Sequence, residues 1–250
     1  MEPDRARLAI SVLDLTDLGD DTSTGAVLIL CGRAAAARTA AVCVWPRFVG
    51  EAGAALSGSG VRVATVVNFP SGAEPVEDVV AMTRRALIDG ADEIDVVLPH
   101  RAWLTGDEAT SGAMLDGVRE AAGGHILKVI IETGELPDRA AVDRAAHFAI
   151  AHGADFVKTS TGKTAVSSTP EAAEIVLEAI AVSGRPVGFK ASGGIRTAAD
   201  ADVYLALADT IMGPSWASPA TFRFGASGLL DALQAEVGGG RGEPSGDAAY

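Results

Sequence analysis

Short apolar runs rich in β-branched residues alternate along the chain with longer, alanine-rich stretches that have helical periodicity. The short runs predict strands at residues 8–15, 40–45, 61–69, 93–98, 126–132, 155–160, 185–192 and 209–213. The longer stretches predict helices at 24–38, 47–56, 74–90, 107–122, 136–152, 169–183, 197–208 and near 226–237. Strict alternation of strands and helices requires a parallel sheet with right-handed crossovers.

Eight strand–helix units in 250 residues favour an α/β fold with a single (β/α)8 TIM barrel. An open doubly wound sheet is the alternative, but no Gly-x-Gly-x-x-Gly fingerprint follows the first predicted strand. We predict one barrel domain over residues 1–237, because no linker interrupts it. The Gly-rich, polar residues 238–250, which end in Tyr250, are predicted to form a flexible tail.

The net charge of −13 argues against a nucleic acid or an anionic membrane as a partner. The N-terminus lacks the features of a signal peptide, and no run approaches 18 uninterrupted apolar residues. Cys31 and Cys43 lie in apolar runs, which favours free thiols in a reducing compartment. We therefore expect a cytoplasmic protein. The histidines show no metal-ligand spacing, so we expect no metal site.

Lysine is rare in this chain, with four lysines against sixteen arginines. In a barrel of this type, catalytic groups sit at the C-terminal ends of the strands. The pattern places Asp14 at the end of strand 1, Asp95 in strand 4, Lys158 in strand 6 and Lys190 in strand 7. Because charged residues inside apolar strands are costly unless paired or functional, these four are the candidates for chemistry.

Lys158 is the candidate nucleophile, since lysine has an amine that can lose its proton near neutrality and attack a carbonyl. Burial and a second ammonium group, for which Lys190 is the candidate, would lower its pKa. The alternative is a buried Lys158–Asp95 pair that only supports the barrel. Lys128, in strand 5, is interpreted as an interior partner of a carboxylate.

Three loops rich in small residues follow predicted strands on one face of the barrel. The segment 161–164 is not a P-loop, because Val157 stands where that motif requires glycine. Small residues instead let backbone amides approach a phosphate, as around loops 7 and 8 of many barrels, although glycine is also common in ordinary turns. The candidate phosphate ligands are Gly162, Lys163, Gly193, Gly194, Ser227 and Gly228.

Three long motifs, EIDVVLP (93–99), DFVKTSTGK (155–163) and VGFKASGGIRT (187–197), strongly resemble the deoxyribose-phosphate aldolases. These are class I aldolases with a (β/α)8 fold. LDLTDLGDDT (13–22), LKVIIETGEL (127–136) and RFGASGLL (223–230) are similar to the same family, so the resemblance runs from about residue 8 to the C-terminus.

This resemblance implies reversible cleavage of 2-deoxy-D-ribose 5-phosphate to acetaldehyde and D-glyceraldehyde 3-phosphate through a lysine Schiff base, without a cofactor or metal. Lys158 matches the Schiff-base lysine, Lys190 the second lysine that perturbs it, and Asp95 the aspartate that relays protons. Asp14 and Thr16 match positions near the substrate hydroxyls. The phosphate-loop positions are matched by Gly162, Lys163, Gly193, Gly194 and Ser227.

Two positions near the C-terminus differ among family members. Gly228 stands where some relatives carry a second serine, so the amide is kept and a hydroxyl is lost. Tyr250 matches a C-terminal tyrosine that in some members assists proton transfer at the acetaldehyde-derived carbon. Two alternatives remain: another Schiff-base lyase or transaldolase-like enzyme, and a non-catalytic sugar-phosphate binding protein. By analogy with barrel aldolases, we expect a homodimer.

Overall fold

A computed structural model describes residues 1–239, and in it eight parallel strands close into a barrel in chain order. The strands are β1 (Leu13–Asp17), β2 (Ala41–Val44), β3 (Arg62–Val67), β4 (Glu93–Val97), β5 (Ile126–Ile130), β6 (Phe156–Lys158), β7 (Gly188–Ser192) and β8 (Phe222–Ala226). Pairing of β1 with β8 closes the barrel. The predicted (β/α)8 TIM barrel is confirmed, and the open doubly wound sheet is excluded.

Helices follow the strands around the outside of the barrel, and α1 precedes β1. They are α1 (Pro3–Ser11), α2 (Thr24–Ala37), α3 (Val49–Leu56), α4 (Val76–Ile88), α5 (His100–Leu104), α6 (Glu108–Ala122), α7 (Arg139–Ala151), α8 (Pro170–Val182), α9 (Ala198–Met212) and α10 (Leu229–Gly239). Short 3-10 turns occupy Pro46–Phe48 and Thr133–Glu135. None of these described helices is long and apolar enough to cross a membrane.

The first strand begins later than predicted. Residues 8–11 belong to α1, which has proline in its first turn and Asp4 as a first-turn acid, both favourable at a helix start. Ala6, Ala9 and Ile10 form its buried face. The apolar run at 8–15 therefore spans a helix end and a strand start. Asp14, which was predicted at the end of strand 1, is consequently the second residue of β1.

The predicted eighth strand at 209–213 was wrong. Those residues end α9, whose buried positions follow a helical spacing through Tyr204, Leu205 and Ala208. The true strand, β8, has the sequence FRFGA, which alternates apolar with other residues as a strand with two different faces does. The predicted tail boundary also shifts, since α10 continues to Gly239. The flexible tail stays a prediction, because residues 240–250 lie outside the described part of the chain.

Each strand presents one face to the helices and one to the barrel interior. The outward face is apolar and forms the main core, for example with Leu13, Val157 and Phe189. The buried inward residues of β2 and β3 are small and apolar, namely Ala41, Cys43, Ala64 and Val66. Arg62, at the start of β3, is half-exposed and contacts Glu93 at 3.1 Å. Each of the other six strands contributes at least one buried charged side chain to the interior.

Several loops end in side-chain caps that fix where the next helix begins. Ser23, Asp138 and Thr169 each accept a hydrogen bond from a first-turn N–H of α2, α7 and α8. Thr197 and Asp200 form a full capping box at the start of α9. These caps limit the length of the loops after β1, β5, β6 and β7, and thereby position the face of the barrel that those loops form.

Candidate active site

Lys158, Lys190 and Asp95 meet inside the barrel. The Nζ atoms of Lys158 and Lys190 both donate to Oδ2 of Asp95, each at 2.9 Å. Lys158 and Lys190 are register partners on the neighbouring strands β6 and β7, so both side chains project inward from the same level. The Lys158 side chain is 3% exposed and the other two are fully buried.

Lys128 approaches the same carboxylate from the other side. Its Nζ donates to Oδ1 of Asp95 at 2.7 Å and lies 2.6 Å from Oε2 of Glu93. Asp95 therefore accepts hydrogen bonds from three lysine side chains, two on Oδ2 and one on Oδ1. The interpretation of Lys128 as an interior partner of a carboxylate agrees with these contacts.

The network continues toward the N-terminal end of the barrel through Asp14 and Arg223. Lys190 donates to Oδ2 of Asp14 at 2.5 Å, and Arg223 donates to Oδ1 of the same carboxylate at 2.5 Å. Arg223 also donates to Glu93 at 2.8 and 3.1 Å, which closes a ring of contacts with Lys128. All these side chains are at most 1% exposed.

Lys158 differs from the other two buried lysines in the direction of its pKa shift. Burial lowers the pKa of Lys158 and repulsion by Lys190 lowers it further, while Asp95 opposes both effects. Burial also acts on Lys190, but Asp14 and Asp95 outweigh it and raise its pKa. For Lys128, Asp95 and Glu93 likewise outweigh burial and raise the pKa.

The charges explain why the pKa of Lys158 is lowered while those of Lys128 and Lys190 are raised. Among the described residues, the buried network holds four basic side chains, Lys128, Lys158, Lys190 and Arg223, and three acids, Asp14, Glu93 and Asp95. The half-exposed Arg62 contacts it only at Glu93. Burial would raise the pKa of each acid, but their basic neighbours outweigh it and lower all three. With Lys158 as a neutral amine, three cations balance three anions. Lys158 also has a single carboxylate contact, whereas Lys190 and Lys128 have more.

A cavity of about 910 Å³ opens at the C-terminal end of the barrel. Its lining includes the predicted residues Thr16, Gly162, Lys163, Gly193, Gly194, Ser227 and Gly228. Gly162, Gly193 and Gly194 have φ values of +79°, +85° and +83°, a region that other residues rarely adopt. A Cβ at Gly193 would also lie 2.7 Å from Cβ of Ser167. The glycines are therefore required by the loop conformation.

Glu132 supports the loop after β6. It is fully buried, and its carboxylate accepts hydrogen bonds from the N–H of Thr161 at 3.2 Å and from the hydroxyl of Thr164 at 3.3 Å. Lys163 lies between these anchors, with its side chain 34% exposed and its Nζ 3.6 Å from Asp20. The loop thus presents Lys163 to the cavity from a buried support.

The structure brings the predicted residues together in two groups, and no residue of the buried group lines the cavity. The loop residues line the cavity, while Lys158, Lys190, Asp95 and Asp14 lie in the buried network. Asp14 is fully buried and does not line the cavity. Tyr250 lies outside the described residues.

Sequence reasoning missed Glu93 and Arg223 in the network, and also Arg33 and Arg196, which line the cavity. Arg223 was missed because the eighth strand was predicted elsewhere. Its signal is the alternation in FRFGA, which turns Arg223 inward while Phe222 and Phe224 join the outer core. Glu93 has the same signal, since it stands two residues before Asp95.

The lowered pKa of Lys158 and the raised pKa values of Lys128 and Lys190 give a direct test. With lysine labelled by ¹³C at Cε, the four signals can be assigned with single Lys→Met variants and followed against pH. We expect Lys158 to titrate below the ordinary lysine value of about 10.4, and Lys128 and Lys190 to stay charged past it. Lys128 is the internal control, because it is equally buried. A Lys158 signal that remains fully charged at pH 10 would contradict the charge balance.

A sequence model of the DeoC/LacD family aldolases matches residues 9–235. The chain is 54% identical over 239 residues to the deoxyribose-phosphate aldolase of Agrobacterium fabrum strain C58, covering 94% of this chain and 92% of that protein. The crystal structure of a candidate deoxyribose-phosphate aldolase from Toxoplasma gondii ME49 matches with a TM-score of 0.87 at 27% identity, covering 95% of this chain and 98% of that one. A tetrameric deoxyribose phosphate aldolase from Aeropyrum pernix matches with a TM-score of 0.78 at 25% identity, covering 92% and 91%. The chain therefore belongs to the DeoC/LacD family of aldolases.

Proposed function

We propose that this aldolase reversibly cleaves 2-deoxy-D-ribose 5-phosphate to acetaldehyde and D-glyceraldehyde 3-phosphate through a Schiff base at Lys158. The observation that carries the proposal is the placement of Lys158 beside Lys190, with both Nζ atoms 2.9 Å from Oδ2 of Asp95. In this setting the pKa of Lys158 is lowered, whereas those of Lys128 and Lys190 are raised. The relative from A. fabrum, which is named for this activity, supports the choice of substrate. The glycine-containing loops of the cavity support the recognition of its phosphate.

Imine formation begins with the free amine of Lys158. Its nitrogen attacks the C1 aldehyde carbon of the substrate, and the carbonyl oxygen takes up a proton to give a carbinolamine. A second proton lets that oxygen leave as water, and the positive charge of the resulting protonated imine withdraws electrons from C2. The lowered pKa of Lys158 favours the first step, because only the unprotonated amine is a nucleophile.

Cleavage then breaks the C2–C3 bond. A base takes the proton of the C3 hydroxyl, the C3 oxygen becomes the carbonyl of glyceraldehyde 3-phosphate, and the electrons of the broken bond move to the imine nitrogen. The resulting enamine is protonated at C2, and hydrolysis of the new imine releases acetaldehyde and the free amine of Lys158. Each proton removed at one step is returned at another, so a local relay suffices.

Asp95 is our proposed relay for these protons. In the network its pKa is held well below the usual range: burial would raise it, but Lys128, Lys158 and Lys190 outweigh burial. A carboxylate in that state is a weak base. When Lys158 is a neutral amine, one of the three positive neighbours is gone, and Asp95 becomes a better proton acceptor. The coupling therefore links the basicity of Asp95 to the chemical state of Lys158.

The substrate's other end is proposed to lie in the cavity. Gly162, Gly193 and Gly194 would offer backbone amides to the phosphate, and Lys163 its charge. Ser227 and Gly228 are proposed to add a hydroxyl and an amide where α10 approaches the cavity. Thr16 lines the same cavity and is our candidate contact for a substrate hydroxyl, whereas the buried Asp14 is proposed to act through Lys190, which it holds at 2.5 Å.

We propose a homodimer as the working assembly and the cytoplasm as its location. The relative from A. pernix is described as a tetramer, which supports assembly of identical subunits, and two-fold dimers are the commonest form of such assembly. Cys31 and Cys43 are both buried and free, which suits a reducing compartment. Light scattering coupled to gel filtration measures the assembly directly.

Trapping with borohydride tests the nucleophile. Reduction in the presence of acetaldehyde should attach a two-carbon group to Lys158, because the imine becomes a stable secondary amine there. Peptide mass spectrometry locates the label, and Lys158→Met serves as the control that loses it. Labelling confined to another lysine, or an active enzyme without a label, would refute the proposed Schiff base.

The phosphate contact is tested with Lys163→Gln. Loss of a charged contact costs about 1.5–3 kcal/mol when buried, and Lys163 is one-third exposed, so we expect KM for deoxyribose 5-phosphate to rise roughly tenfold. The rate with 2-deoxyribose, which lacks the phosphate, should not change. Lys163→Arg keeps the charge and is the matched control. An equal loss with both sugars would show that Lys163 acts on the reacting end instead.

Tyr250, which lies outside the described residues, is proposed to assist proton transfer at the acetaldehyde-derived carbon. This proposal rests on its match to the C-terminal tyrosine of some family members. Deletion of Tyr250 should lower turnover strongly while trapping at Lys158 stays intact. Tyr250→Phe keeps the ring without the phenol proton and should behave like the deletion. Unchanged turnover in both variants would remove Tyr250 from the mechanism.

A further inference from the structure

Arg223 is the member of the buried network that is separated from Lys158 by the largest number of contacts. Its guanidinium donates to Asp14, to both oxygens of Glu93 and, through Nε at 2.7 Å, to the carbonyl oxygen of Pro219. It has no contact with Lys158, and it is 1% exposed. A side chain with this many fixed partners holds a single position, and its charge cannot be screened by solvent.

Two unbroken routes connect Arg223 to Lys158. One runs from Arg223 through Asp14 and Lys190 to Oδ2 of Asp95. The other runs from Arg223 through Glu93 and Lys128 to Oδ1 of Asp95. Both routes end on the carboxylate that accepts the hydrogen bond of Lys158. Arg223 and Glu93 are therefore joined to the proposed nucleophile through both oxygens of Asp95.

The balance of charge gives these remote residues their effect. Buried charges act on one another through a low effective dielectric, so an uncompensated charge is costly. If Arg223 were neutral, Lys128 and Lys190 would face three carboxylates, and a proton on Lys158 would restore the balance. If Glu93 were neutral instead, three cations would face two carboxylates, and a proton on Lys158 would be less favourable still.

We propose that Arg223 and Glu93 are positioning residues that set, with opposite signs, the fraction of Lys158 present as the free amine. This proposal rests on the proposed role of Lys158 as the Schiff-base lysine. The arginine makes the free amine more abundant by satisfying two carboxylates that would otherwise favour an ammonium group. Glu93 lowers the fraction of free amine, because its negative charge offsets the positive charges of Arg223 and Lys128. Its own charge favours the ammonium form of Lys158.

The titratable and charged groups around Lys158 come from every side of the barrel. Cys43 on β2 adds no charge, because burial raises the pKa of its thiol. Arg62 on β3 contacts Glu93 at 3.1 Å, but its side chain is 51% exposed and solvent weakens its effect. The remaining groups that face this part of the interior are Asp14, Glu93, Asp95, Lys128, Lys190 and Arg223.

The test compares Arg223→Met, Glu93→Gln and the double variant by the ¹³Cε titration of Lys158 and by the pH dependence of imine trapping. A unit charge acting at roughly 10 Å through an effective dielectric of 20 shifts a pKa by about one unit. We expect the midpoint of Lys158 to rise by about that amount in Arg223→Met and to fall in Glu93→Gln. The double variant, which removes one charge of each sign, should return close to the parent protein.

Two controls separate this effect from simple loss of structure. Arg223→Lys keeps the charge and should keep the titration midpoint of Lys158 near that of the parent protein. Arg101→Met removes the same charge from an exposed position on α5 and should leave that midpoint unchanged. Glu93→Gln keeps the test open if Arg223→Met does not fold. Midpoints that stay unchanged in the folded variants, or that shift in the same direction, would overturn the proposal. Failure of the parent protein to trap at Lys158 would instead overturn the proposed function.

Discussion

The interior of this barrel depends on the contacts between the carboxylate of Asp95 and the amino groups of three lysines. Lys128, Lys158 and Lys190 all reach it within 2.9 Å, and their side chains are at most 3% exposed. Buried charges of this kind are a weak source of stability, because desolvation offsets most of the attraction. Their consequence is chemical, since the network accommodates a neutral amine more easily than a fourth cation, and Lys158 has the fewest carboxylate partners.

The buried network and the cavity meet at Gly225, the fourth residue of β8. A Cβ at this position would lie 3.0 Å from Cε of Lys190 and 2.7 Å from Oγ of Ser192. Glycine therefore lets the Lys190 side chain pass beneath the cavity floor to Asp14 and Asp95. At the opposite end of the barrel, Gly188 leaves room for Phe156, since a Cβ there would lie 2.4 Å from the Phe156 ring. The two glycines allow long side chains to fill a barrel whose β2 and β3 walls are built from small residues.

Most of the fold was predictable because its signals are local. The central strands, β2 to β7, were placed by runs of apolar, β-branched residues, and the alternation with helices was enough for the barrel. The first and last strands were not placed correctly, for a common reason. LAIS before β1 and DTIM at the end of α9 are short apolar runs, and such runs do not distinguish a strand from a buried turn of helix without their packing partners. In the structure, α1 packs on α10, and Tyr204 of α9 packs on Phe224 of β8.

The sequence by itself determined which residues could do chemistry: lysines and acids at inward positions of apolar strands, and glycines in the loops that follow. These signals depend on neighbours along the chain, so they can be read without the fold. Only the tertiary structure decided how the charges are shared. Asp14, Glu93 and Arg223 come from β1, β4 and β8, and their effect on Lys158 depends on distances across the closed barrel. The lowered pKa of Lys158, against the raised pKa values of Lys128 and Lys190, is a property of that sum of charges, which no single strand contains.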